Sequence, residues 1–288
     1  MPIQDGRIAR LAAIAAVLFI ALVAQQVRAA DESPAWYRDR EDGTSTSLPG
    51  TYVQSHQLLV YPFYEYTINQ DQEYKPSELG YGLESDFRAR RTDHEALIFL
   101  SYGFTDRIAV EFESALHATA TQHKAADDPS GMPGQLSESG FGDTQAELRW
   151  RWAKETAQRP EFFSYFEVVF PLQKNRVLIG TQDWELDQAF GLIKGTKCGT
   201  FSARVSTSYS GADGQVVFGE YAVEYLKRAS PLWRWVLTLE GEQDEIAFIG
   251  EAQIHLRPNL FIKLNNGFGL TNKAPEMAPE VGVVFSFK

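Results

Sequence analysis

Three acidic side chains, Asp183, Glu185 and Asp187, alternate along one short stretch, and Glu111 and Glu113 do the same upstream. Residues two apart share a face of an extended strand. Each set would therefore present its oxygens together, an arrangement able to hold a hard cation such as calcium. The same spacing carries the opposite sign elsewhere, at Arg149 and Arg151, and single basic residues occupy matching positions at Arg204, Arg234 and Lys263. Acids and bases on equivalent faces read as charge ladders on a hydrated wall in preference to a metal centre, because interior charges persist when paired or hydrated. That wall is expected to comprise Glu111, Glu113, Glu147, Arg149, Arg151, Glu167, Glu185, Asp187, Arg204, Glu224, Arg234, Glu240, Glu251, His255 and Lys263. No metal site is assigned.

Nucleophilic or acid-base catalysis finds little support. The five histidines, His56, His94, His117, His123 and His255, are scattered, and no Gly-x-Ser-x-Gly turn or His-x-Ser pair accompanies them. Without partner geometry, His117 and His255 read as residues of the same polar wall. The single cysteine, Cys198, excludes an intramolecular disulfide and a thiolate metal cluster. The glycines of Gly140 to Asp143 and Gly267 to Gly269 lack the strand-to-helix setting of a phosphate loop. The sequence therefore predicts neither an enzyme nor a cofactor.

Strands must position these side chains. From about residue 51 onward apolar and polar residues alternate in segments of about ten, separated by Gly, Pro, Asn and Asp. Ile108, Val110, Phe112, Ser114 and Leu116 fall on one face against Ala109, Glu111, Glu113, Ala115 and His117 on the other. Thr144, Ala146, Leu148, Trp150 and Trp152 likewise oppose Gln145, Glu147, Arg149 and Arg151. About twelve such segments, from 51–67 to 278–288, give an even count within the range of bacterial outer-membrane barrels. Long polar connections at 68–90 and 122–140 alternate with tight ones such as Thr105-Asp106-Arg107 and Arg257-Pro258-Asn259. This matches a barrel with long outer loops and short periplasmic turns.

The alternation also suits a soluble sandwich, but there the apolar face meets an interior filled by Leu, Val and Ile. Here that face carries Trp150, Trp152, Trp184, Tyr209, Tyr221, Tyr225, Trp233 and Trp235 near segment ends, as aromatic girdles at lipid headgroups do. The fold class expected is all-β: a transmembrane, antiparallel, up-and-down β-barrel. Mean hydropathy is -0.28 and the one long apolar run is N-terminal, which excludes a helical transporter. That run, Leu11 to Ala24, follows Arg7 and Arg10 and precedes Val27-Arg28-Ala29. It reads as a signal peptide over 1–29, being shorter than the roughly 20 residues of a membrane span. Residues 30–50, polar and without periodicity, are expected to form a flexible periplasmic leader before the barrel domain at 51–288. The chain carries a net charge of -11; removing Arg7, Arg10 and Arg28 with Asp5 takes away +2 and leaves -13, against any nucleic-acid partner.

The last segment, Val281 to Lys288, resembles the C-terminal signal by which such barrels engage the barrel-assembly machinery, although Lys288 follows the final aromatic. Gly140-Phe141-Gly142-Asp143 opening an alternating strand, the hairpin around Thr105-Asp106-Arg107, the stretches Gly180 to Gly191 and Gly219 to Tyr225, and the closing strand are similar to the outer-membrane family named for the MetA pathway of phenol degradation. The resemblance implies a barrel in outer-membrane lipid that passes small solutes, often hydrophobic or aromatic, and it brings no catalytic residues. A closed barrel whose loops 68–90 and 122–140 bind a partner is the alternative expectation.

Overall fold

The computed structural model describes residues 39–212 and 214–288; the signal-peptide expectation for 1–29 lies outside them. A two-residue pairing of β1 (Thr44–Ser45) with β2 (Tyr52–Val53) precedes the large strands. These are β3 (Leu58–Tyr74), β4 (Phe87–Gly103), β5 (Ile108–His123), β6 (Gln135–Gly140), β7 (Thr144–Ala153), β8 (Glu161–Val169) and β9 (Glu185–Gly195). They continue as β10 (Thr200–Ser210), β11 (Gln215–Arg228), β12 (Trp233–Glu242), β13 (Glu245–Arg257), β14 (Leu260–Gly269) and β15 (Ala278–Phe287).

Each large strand pairs antiparallel with its sequence neighbours, and β15 returns to β3 with Phe287 opposite Leu58 and Val281 opposite Tyr64. The sheet thus closes into a twelve-strand barrel without a free edge at the seam, which is what lets strands cross a membrane. β6 and β7 count as one stave. Both pair with β5, β6 against Ala118–His123 and β7 against Ile108–Ser114, on either side of a bulge at Leu116. Between them Gly142 donates to the Ala115 carbonyl at 2.9 Å, and a side chain there would meet the Ala115 methyl at 2.7 Å. The Gly-x-Gly-Asp motif therefore serves a close backbone approach at a kink.

The bulge also reverses the alternation. Ala118, Ala120 and Gln122 are buried beyond it, while Leu116 and His117 are exposed. His117 thus sits on the outer wall and not with the polar face, which corrects the expectation for it. The first strand departs as well: β3 starts at Leu58, not 51, and runs to Tyr74 through Asn69 to Gln72, where the pairing with β4 slips. That stretch is polar on both faces because the hairpin rises beyond the apolar band, where alternation loses its cause. The loop expected at 68–90 shrinks to 75–86, and part of the one expected at 122–140 is β6.

Side chains on the outer face meet an apolar solvent. Val110, Phe112, Leu148, Trp150, Phe166, Phe190, Leu237 and Leu264 are all exposed, a contiguous display that a soluble monomer does not tolerate. Trp150 stacks on Trp152 with ring centroids 4.4 Å apart, and Trp233 on Trp235 at 5.6 Å, all four near the short-turn rim. Among the described residues no helix is long and apolar enough to cross a membrane. The barrel should migrate in a heat-modifiable way on gels, with a compact band in unheated detergent extracts that converts to the mass of the unfolded chain on boiling. A single band unaffected by heating would contradict the closed sheet.

Candidate functional site in the barrel lumen

The lumen is not empty. Residues 39–57 fold into its short-turn end, and Asp39, Arg40, Thr44, Thr51, Tyr52 and Val53 are each at most 6% exposed. The mobile leader expected over 30–50 is, from residue 39, a packed plug. Its composition is polar because its surroundings are, so the absence of apolar periodicity did not signify disorder.

Two apolar anchors pin the plug to opposite walls. Tyr52 packs among Phe163, Tyr165, Ala189, Ile193, Leu226 and Val236 of β8, β9, β11 and β12. Leu48 packs across the lumen on Tyr61, Phe63, Phe99 and Val284 of β3, β4 and β15. The turn between them needs Gly50, whose φ is +66° and whose missing side chain leaves 3.0 Å to Leu226 and Val236.

Polar contacts complete the docking. Arg149 donates to the Ser45 carbonyl at 3.1 Å and Arg234 to that of Gly50 at 3.3 Å, while Arg151 reaches the Gly43 carbonyl. Arg151 also pairs with Asp42 at 3.0 Å and Glu161 at 3.1 Å, and Arg40 of the plug lies 3.1 Å from Glu161 and 3.4 Å from Glu155. Ser47 donates its backbone N–H to Glu111 at 2.9 Å, and Gln253 donates to the Pro49 carbonyl at 3.1 Å. A guanidinium buried at 1% exposure, as Arg151 and Arg234 are, needs several such acceptors, because an uncompensated buried charge is expensive.

Burial opposes ionisation of Arg40, but Tyr52, Glu161 and Glu155 raise its pKa above the usual arginine value. Glu155 is pushed upward by burial against the pull of Arg40 and Lys194. At Asp42 burial also pushes upward, and here Arg151 and Lys154 outweigh it, leaving the carboxyl below its ordinary 3.8.

Above the plug the walls enclose a cavity of about 420 Å³, running from Ser47 and Leu48 on its floor to Thr181 and Glu242 near the long loops. Of the wall residues singled out in the sequence, Glu113, Glu147, Arg149, Glu167, Glu185, Asp187 and Arg204 line this space together. Glu111 supports it from below, 3.2 Å from Arg149. Arg204 gathers Glu220, Glu224 and Glu240. Arg151 and Arg234 lie under the plug, and Lys263 pairs with Glu251 at 3.1 Å, its ammonium 5.2 Å from the Tyr61 ring. His255 stacks on Phe261 at 4.7 Å, away from the cavity.

Sequence reading missed Glu220, Glu242, Asp143, Thr181 and the plug residues as lining. Glu220 sits beside a register slip between β10 and β11, Glu242 ends β12 where alternation runs out, and Thr181 belongs to the connection between β8 and β9. That connection folds inward, with Leu178 and Ile179 packed on Ala115, Ala118 and Ala120, and the Leu178 carbonyl accepting from Arg91 at 2.9 Å. Three or more His, Cys, Asp or Glu side chains do not converge as a metal site among the described residues.

No family model and no curated protein matches the chain. Among solved structures it is similar to an outer-membrane channel from Pseudomonas putida F1, at 13% identity and TM-score 0.57, over 84% of this chain and 100% of that one. A KdgM porin in complex with disordered oligogalacturonate gives 8% identity and TM-score 0.49, over 79% of this chain and 99% of that one. The NanC porin gives 11% identity and TM-score 0.47, over 79% and 98%. The first likeness shows the fold to be that of an outer-membrane barrel.

Three outcomes follow from the register and the charge network. Replacing Arg149 and Arg151 together by Ala should lower the thermal unfolding temperature, since breaking a buried pair costs about 3–5 kcal/mol. Trp150→Arg on the lipid face should cost about 0–4 kcal/mol depending on depth, without disturbing the plug. The third outcome concerns pH: a carboxylate with a depressed folded pKa contributes stability that is complete above its unfolded pKa and lost as pH falls through the folded one. Hydrogen exchange across residues 43–53 should therefore stay slow down to pH 3.8 and accelerate below it. Asp42→Asn should flatten that acid limb.

Proposed function

We propose that the chain is a bacterial outer-membrane channel for small solutes, held shut at its short-turn end by its own N-terminal segment. The observation that carries this reading is a solute-sized, charged cavity inside a lipid-facing barrel, with the plug as its floor. Its fold likeness to an outer-membrane channel supports the location and the class of activity. On this reading residues 1–29 direct export, the short turns and both ends of the barrel chain face the periplasm, and the closing strand engages the assembly machinery. The similarity of the Gly140–Asp143 kink and the closing strand to the MetA-pathway family fits the same role. That family's hydrophobic or aromatic solutes are the less favoured cargo, because the lining is dominated by carboxylates.

The plug also favours a second reading, a closed barrel that serves as a structural or interaction module. Planar-bilayer recording separates the two. The intact protein should conduct weakly, and deletion of residues 39–53 should raise single-channel conductance several-fold, since the segment crosses the lumen between the Leu48 and Tyr52 anchors. A folded, heat-modifiable deletion variant that shows no channel events would favour the closed module.

A further inference from the structure

The cavity above the plug is not merely polar; its charge is unbalanced in a particular way. Eight carboxylates line it against two guanidinium groups. Both guanidinium groups are already committed, Arg149 to Glu111 and Glu147, and Arg204 to Glu220, Glu224 and Glu240. Glu147, shared with Arg149, begins a row of acids that the sheet arranges. Glu147 stands opposite Glu167 on the next strand, Glu167 stands opposite Asp187 on the one after, and Glu185 shares the Asp187 face two residues along. Like charges directly opposite across strands destabilise a sheet. Yet among the described residues Glu167 and Glu185 have no cationic partner within ion-pair distance, and Asp187 is met only by the Ser208 hydroxyl.

A second observation lies beside them. Ser206, on the same wall of β10, is 4% exposed and lines the cavity, and its hydroxyl oxygen has no hydrogen-bond partner among the described residues. A buried hydroxyl left open is a standing vacancy for a donor or acceptor, because an unmade hydrogen bond carries the full desolvation penalty. The carboxylates do not converge on a point as ligands of a metal ion would. They are instead strung along successive strands, which lie about 4.7–4.9 Å apart, so the row from Glu147 to Asp187 extends over roughly 10 Å.

We propose that this cup binds a linear organic polyamine, its ammonium groups distributed along the Glu147, Glu167 and Asp187 row, its methylenes against Leu48 and Val169, and an N–H donated to the Ser206 hydroxyl. Separated ammonium groups match separated carboxylates, each gaining a charge-assisted hydrogen bond, and the volume falls within the range of small-molecule sites. Transport of such a ligand rests on the channel reading above; binding does not.

The test is isothermal titration of the full chain, folded in detergent at physiological ionic strength, with spermidine as the probe. Saturable binding is expected for the native protein, with magnesium at matched ionic strength failing to displace it. Glu167→Gln with Asp187→Asn should weaken it by about tenfold or more, and Ser206→Ala by a smaller factor. Heat-modifiable migration checks that each variant is folded; removing mutually repelling charges should not impair that. Absence of saturable binding to the native protein overturns the proposal, as does equal displacement by magnesium or an unchanged affinity in the folded double variant. Bilayer recording with spermidine keeps the two readings apart. Conductance that spermidine leaves unaltered, together with no binding, discards the polyamine site and keeps the channel; binding to the native protein with no channel events even in the folded 39–53 deletion variant keeps the site and discards the channel.

Discussion

Everything at the closed end of this barrel depends on keeping three guanidinium groups satisfied where water is scarce. Arg149, Arg151 and Arg234 project inward from β7 and β12 and are between 1% and 3% exposed. The wall offers them Glu111, Glu147, Glu161 and Gln253. Beside the Asp106 carbonyl, which accepts from Arg151 at 3.2 Å, the remaining acceptors are the carbonyls of Gly43, Ser45 and Gly50 and the carboxylates of Glu41 and Asp42, all from the N-terminal segment. A carbonyl oxygen has two lone pairs and no charge to be repelled by the neighbouring acids, so it can fill the last sites of a crowded guanidinium without adding to the negative excess. The plug is therefore the missing half of the wall's own hydrogen-bond network, and the two apolar anchors decide where along the wall that half is laid down.

The barrel separates two solvents by the parity of residue number. Where both solvents are present the parity is unambiguous, as in β7, where Leu148, Trp150 and Trp152 face lipid while Glu147, Arg149 and Arg151 are buried inside. A single inserted residue at Leu116 exchanges the faces for the rest of β5. The molecule accommodates this by breaking the facing stave into β6 and β7 around Gly142, where a side chain would meet the Ala115 methyl. Bulge and glycine kink are one device, since a continuous partner strand could not follow a change of parity without presenting its apolar side chains to the lumen.

How much of this was legible in the sequence follows from the same physics. The barrel and its strand number were readable because lipid on one side and charge on the other impose alternation over most of each strand. Parity put Arg149 on the same face as Glu111 and Glu147, but which acid each arginine pairs with was not readable, since Arg151 turns to Glu161 and to Asp42 of the N-terminal segment. The bulge at Leu116 was not, because Ala115, Leu116, His117 and Ala118 contain no residue whose burial is decisive by type. Nor was the plug: a segment such as Arg40-Glu41-Asp42-Gly43-Thr44-Ser45 looks disordered when its burial is judged by hydrophobicity. It is ordered by acceptors and counter-charges spread over strands more than a hundred residues away, as the Arg40–Glu161 and Arg149–Ser45 contacts show.

The two halves of the lumen meet at one side chain. Arg149 donates downward to the plug at Ser45 and pairs sideways with Glu111 and Glu147, and it also forms part of the cavity above. Glu111 is shared in the same way, accepting from Ser47 of the plug at 2.9 Å while paired with Arg149. Below this junction charges are matched; above it carboxylates prevail. A cation that draws Glu147 toward itself weakens that residue's hold on Arg149, and the guanidinium compensates through the acceptors that remain, Glu111 and the Ser45 carbonyl. If the proposed ligand occupies the cup, its binding and the docking of the plug would thereby be coupled through a shared, buried group. Coupling of this kind is reciprocal, so a displaced plug, by removing the Ser45 acceptor, drives Arg149 more firmly onto Glu147 and lowers the negative charge presented to the cavity.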